Sequence, residues 1–193
     1  VVESIEVLTE QRHRERQIKR HNERLEALLE LGRRREEKGG DVLAWALDEA
    51  VKLTHSRCGY LYFVDKDQQA LRLQSVLGSD KLDPEKGEPR KVDLYEAGIW
   101  ADALRLLQPV AHNAYPELHE ADVPYPARLK FSRHLSVPVV ESGRVRAVFG
   151  EGDKEQAYDE TDIEQLSLFT DAGWELLRRR QAEGRLRKSV ANL

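Results

Sequence analysis

The chain has 193 residues, 34% of them charged and 40% hydrophobic, with a formal net charge of −4 and a sequence pI near 5.9. That length suits one domain plus an extension, and the even mixing of acidic and basic residues excludes nucleic acid as the main partner, because phosphate binding needs a basic surplus on one face. No apolar run approaches the ~20 residues that span a bilayer and no signal peptide is visible, so no direct membrane insertion is expected and the location reads as cytoplasmic. Cys58 is the sole cysteine, which leaves no disulfide framework or cysteine-rich zinc site within one chain. Methionine is absent, even at position 1, so the sequence reads as a segment cut from a longer protein.

Residues 1–38 read as a highly charged helix, "LTEQRHRERQIKRHNERLEALLELGRRREEK", with little apolar content. Ile18, His21, Leu25 and Leu28 follow a coiled-coil spacing. So polar a helix gains little from burial alone and makes sense when paired with a copy of itself. The alternative is a solvated terminal helix. "KGGD" at 38–41 ends it, and Asp41 is placed to cap the next helix, 41–56, whose Val42, Trp45, Ala46, Val51 and Leu53 recur on one side.

Two β-rich runs, 59–64 and 71–77, flank the polar turn "DKDQQ" and predict an antiparallel hairpin. A polar stretch over 79–92 leads to a short strand near 90–94. Residues 95–108 read as a helix stopped by Pro109, followed by a short strand in "PVAHN". Residues 114–131, with three prolines, form a long irregular loop. "HLSVPVVESGRVRAVFGEG" supplies two strands joined at "ESGR", with Pro138 marking an edge, a bulge or a break in pairing. Asp159 then caps a long helix, with Asp162 at the capping-box position, and Ile163, Leu166, Phe169, Gly173, Trp174 and Leu177 on its apolar face. The pattern is α+β: a mostly antiparallel sheet of five to six strands flanked by helices, with long helices at both ends.

The segment "RHLSVPVVESGRVRAVFGEGDKEQAYDETDIEQLSLFTDAGW" resembles the closing half of a GAF domain of the kind embedded in bacterial sensor histidine kinases and cyclic-di-GMP enzymes. Val137-Pro138, Gly143, Gly150, Lys154, Tyr158 and Asp162 occupy the matching places. "IWADALRLLQPVAHNAY" is similar to the GAF segment in which a helix leads to a "Q/R-P-V" strand and an Asn-Asp pair. Ala114 replaces the acidic residue there, and Asp153 stands where asparagine is commoner. The resemblance implies a sensor domain over 39–178, an N-terminal signalling helix over 1–38 and a continuation of the output helix over 179–193. It also implies a parallel homodimer, an output domain in the same polypeptide (a histidine kinase foremost) and a small-molecule ligand. The alternative is a coupling domain with no ligand of its own.

The glycines of "GEGDKEQAY" do not form a phosphate loop, since six residues separate Gly152 from the cap at Asp159. Cys58 reads as a small buried hydrophobe, and a bilin-attaching cysteine is expected in the long loop, which has none. His112, His119 and His134, with Glu117, Glu120 and Asp122, match no zinc spacing, so neither metal nor haem is expected. No catalytic residues are assigned: there is no nucleophile–histidine order, Walker motif or H-E-x-x-H. The few GAF proteins that reduce sulfoxides use several cysteines. The expected ligand pocket is lined by Trp100, Asn113, Tyr115, Tyr125, Arg133 and His134, with Arg133 suited either to an anion or to tying the loop down through backbone carbonyls. The expected dimer seam comprises Ile18, His21, Leu25 and Leu28, extended by Gly173 and Leu177.

Overall fold

A computed structural model describes residues 2–34, 39–78, 91–94, 101–114 and 131–191. The elements are α1 (Val2–Arg33), α2 (Gly39–Thr54), β1 (Cys58–Val64), β2 (Ala70–Leu77), β3 (Lys91–Asp93), α3 (Asp102–Leu106), β4 (Val110–His112), β5 (His134–Glu141), β6 (Arg144–Gly152) and α4 (Glu160–Ala191). They form one antiparallel six-stranded sheet in the order β3-β2-β1-β6-β5-β4. The α+β architecture read from the sequence is therefore the architecture found. Residues 95–100 and 115–130, which carry the start of the expected third helix and most of the long loop, lie outside the described residues.

Local chemistry sets the hairpins. Ser142 and Gly143 both have positive φ, 52° and 73°, the geometry of a two-residue type I′ turn that matches the twist of β5 and β6. In the β1–β2 hairpin Gln68 takes φ 60°, and its amide pairs with the Val145 backbone in both directions, pinning the turn to β6. The register shift in β5 falls between Val139 and Val140, just past Pro138, which has no N–H to give.

Alternation along the strands divides the core. Leu61, Phe63, Leu135, Val137, Val139, Ala147 and Phe149 face α2 and α4, where Leu47, Ala50, Leu166 and Phe169 meet them. Cys58, Tyr60, Tyr62 and Val148 face the other way, with Ala101, Leu104 and Phe131 over them. The two sheet faces thus differ: one is covered by α2 and α4, and the other, termed the aromatic face below, holds Tyr60, Tyr62 and Phe131.

α1 forms an outer layer. It packs on α4 and α2 through Ala27, Leu28 and Leu31 and through buried Arg24, whose Nη1 donates to Gln165 Oε1 at 2.7 Å. The terminal helices α1 and α4 lie side by side, but α1 does not reach the sheet. Instead α2 and α4 cover the sheet, and Leu25, 43% exposed, points away from them. The apolar residues of α1 are split between two sides, so one of the leucines had to face outward. Leu28 took the inner place.

Candidate functional site

Two constructions stand out, one on each sheet face. On the aromatic face, Gly150 and Gly152 of β6 leave room for large rings. A Cβ at Gly150 would lie 1.8 Å from Tyr60 Cζ, and one at Gly152 would lie 2.6 Å from Phe131 Cδ1. The rings of Tyr60, Phe131 and His112 lie nearly parallel to His134, with interplanar angles of 13°, 7° and 11°. Tyr60 Oη is 2.6 Å from His134 Nε2. His134 is fully buried, and burial, reinforced by nearby His112, lowers its pKa to about 3, so the ring is neutral at physiological pH. Ser136, next on the same side of β5, is buried and its Oγ has no hydrogen-bond partner among the described residues.

On the helical face, the joint between β6 and α4 is a closed network. Asp159 and Asp162 form the reciprocal cap expected from the sequence. Asp159 Oδ1 accepts from the Asp162 amide at 2.9 Å, and Asp162 Oδ2 accepts from the Asp159 amide at 3.0 Å. Asp162 also receives Lys154 Nζ at 2.5 Å, with both side chains nearly inaccessible. The Asn113 side chain, at the end of β4, mimics a strand partner for Tyr158, donating to its carbonyl at 2.9 Å and accepting from its amide at 2.7 Å. Asp153 takes φ 58°, which aspartate tolerates, and its carboxylate caps the Ser132 amide at 2.8 Å.

A family model described as GAF domain matches residues 40–178. The chain belongs to the GAF family. It is 35% identical over 184 residues, 93% of its length, to the methyl sulfide methyltransferase-associated sensor of Methanosarcina acetivorans, of which it spans only 18%. The GAF domain of a phosphoenolpyruvate-protein phosphotransferase from Acinetobacter superposes with a TM-score of 0.63 at 19% identity, over 82% of this chain and 94% of that one. Free methionine-R-sulfoxide reductase from Neisseria meningitidis gives 0.59 at 17% identity, over 85% and 91% of the two chains. At those identities the solved structures speak for the fold alone.

Within this GAF domain the residues expected to line a pocket separate. His134 lies on the aromatic face. Arg133 points to the joint, its Nη1 donating to the carbonyls of Lys154 at 3.2 Å and Glu155 at 3.1 Å, which is the tying role considered beside anion binding. Asn113 is likewise spent on Tyr158. Trp100, Tyr115 and Tyr125 lie outside the described residues, as do His119, Glu117, Glu120 and Asp122. Cys58 is 2% exposed inside the aromatic cluster.

One residue of the joint was not singled out from the sequence. Glu151, fully buried, accepts hydrogen bonds from the Thr54 hydroxyl and, at 2.9 Å, from Ser56 Oγ, which is itself 2.8 Å from Tyr158 Oη. A signal existed: Ala147, Phe149 and Glu151 share one face of β6, so a carboxyl follows two core side chains into the interior.

Asp162 is 3% exposed, so removing its cation leaves a charge without compensation. Lys154→Met is expected to destabilise the domain by about 3–5 kcal/mol in urea denaturation. A loss below about 1 kcal/mol would show the pair to be only a surface-like contact.

Proposed function

We propose that this chain is a regulatory sensor and signal-transmission module, not an enzyme, that works as a cytoplasmic parallel homodimer and passes a conformational change to an output domain of the same polypeptide, a histidine kinase foremost. The observation that carries this is the joint. β4, β5 and β6 border the aromatic face; Asn113, after β4, holds Tyr158, and Arg133, before β5, holds the carbonyls of Lys154 and Glu155, all in the segment that leads into α4, while Lys154, after β6, pairs with Asp162 in the first turn of α4. A displacement of those strands by a ligand is therefore delivered to a 32-residue helix running out of the domain. The sensor name of the Methanosarcina relative points the same way.

The exposed side of α1 supports the dimer reading, since that helix has two apolar sides. Arg24, Ala27 and Leu31 are buried against the domain, whereas Leu8, Ile18, Leu25 and Leu29 are 56%, 61%, 43% and 62% exposed on the opposite side. Ile18, Asn22, Leu25 and Leu29 keep the alternating spacing of four, three and four residues that a two-stranded coiled coil requires, with Asn22 at a seam position that selects register. The seam proposed here keeps Ile18 and Leu25. It takes Asn22 and Leu29 in place of His21, which is bonded to Arg24, and Leu28, which packs inward. Gly173 and Leu177 meet Leu31 and its neighbours within the same chain.

A second reading, a coupling domain with no ligand, draws support from Tyr60, whose ring already occupies the space over Gly150.

Light scattering is expected to give twice the 22.2 kDa chain mass for the native sequence and the single-chain mass for Leu25→Asp/Leu29→Asp. A native monomer would overturn the dimer. A thermal-shift screen decides between sensor and coupler: a neutral ligand present at about 100 times its Kd stabilises by about 2.7 kcal/mol. The effect should vanish in Ser136→Val, and a library without hits favours the coupler.

A further inference from the structure

Glu151 is chemically out of place. It is a carboxyl with no exposure, on the side of β6 that faces the helices, and among the described residues no cation is bonded to it. Both of its hydrogen bonds come from hydroxyls at the end of α2 and reach Oε2, while Oε1 is buried without a partner. The two hydroxyls favour the ionised form, but burial with no cation bonded to the group outweighs them and favours the protonated acid.

Its surroundings bear on the start of α4. Lys154 follows three residues later, and Asp162 holds that ammonium in the first turn of α4. Tyr158 joins through Ser56, with its phenol held well above its ordinary pKa by burial and by the carboxyl itself. The Cys58 thiol also acts electrostatically on Tyr158. α2 contributes only the hydroxyls of Thr54 and Ser56, since His55 turns out to bond the Lys52 carbonyl. From α1, Arg24 is engaged by Gln165, and the charge of Arg20 acts on Asp159 after that of Lys154. Lys154 is thus the cation whose charge acts on Glu151, and Asp162 the anion that competes for it.

We infer that Glu151 is a proton-operated latch at the base of α4: protonated, it leaves Lys154 on Asp162 and the helix cap closed, and on losing its proton to solvent it draws Lys154 away and loosens that cap. The inference is independent of whether the aromatic face binds a ligand. The exchange conserves charge within the site apart from the released proton.

Burial raises the Glu151 pKa to about 8, within reach of physiological alkalinisation. Since the folded value lies above the ordinary 4.5, the stability contributed by the proton is complete below pH 4.5 and is lost as pH rises through about 8. Two measurements on the full chain test the latch. In infrared spectra of protein with 13C-labelled glutamate, one protonated carboxylic acid band should persist at pH 7, disappear with a midpoint near pH 8, and be missing in Glu151→Gln. The amide resonances of Asp159 and Asp162 should shift with the same midpoint in the native chain and stay fixed in Glu151→Gln. A native chain with no carboxylic acid band at pH 7 overturns the proposal without any variant having to fold. A band that titrates while both cap amides stay still would leave a buried acid with no latch, and overturns it equally.

Discussion

The ion pair between Lys154 and Asp162 is the contact on which the arrangement depends. Two opposite charges taken from water are tolerated only with good geometry and with their remaining hydrogen-bonding capacity satisfied. Here Asp162 meets that requirement by also accepting the Asp159 amide, so one carboxylate neutralises the lysine and starts α4. The position of that first turn sets the phase of the whole helix. It decides that Leu166, Phe169 and Gly173 point inward and that Gly173 lets Leu31 of α1 approach to 3.3 Å of where a Cβ would stand. An error of one residue at the cap would turn a different side of α4 toward the sheet.

Much of this was legible in the sequence, because the signals were local. The turn residues Ser142-Gly143, the reciprocal aspartates and the strand alternation each follow from short-range chemistry, and each has the expected form. The long-range partners were harder. Asn113 and Arg133 were read as pocket residues on the strength of their polarity and position. A side chain that imitates a backbone partner, or that ties down two carbonyls, has no periodicity to reveal it. In α1, Leu25 and Leu28 fit one spacing equally well, and only the packing of Arg24 against Gln165 shows which of them faces inward. Glu151 was overlooked for a related reason: in a chain so rich in carboxylates, nothing but its strand phase distinguishes it.

The two sheet faces divide the labour. The helix-covered face supplies stability through close packing of α2 and α4. The aromatic face trades that for rings, a neutral histidine and an unbonded serine hydroxyl, held open by glycines. Strands β5 and β6 belong to both faces, and the residues that flank them, Arg133 and Lys154, make the contacts of the joint. The inner stripe of α1 rides on α4, while Ile18, Leu25 and Leu29 of its outer stripe are exposed.

Native-state hydrogen exchange measures that coupling directly. If the buried joint makes sheet and helix one mechanical unit, the amides of 147–151 in β6 and 163–170 in α4 open together, with one free energy and one denaturant dependence. Exchange of 163–170 through a separate opening of much lower free energy, with β6 still closed, would contradict it.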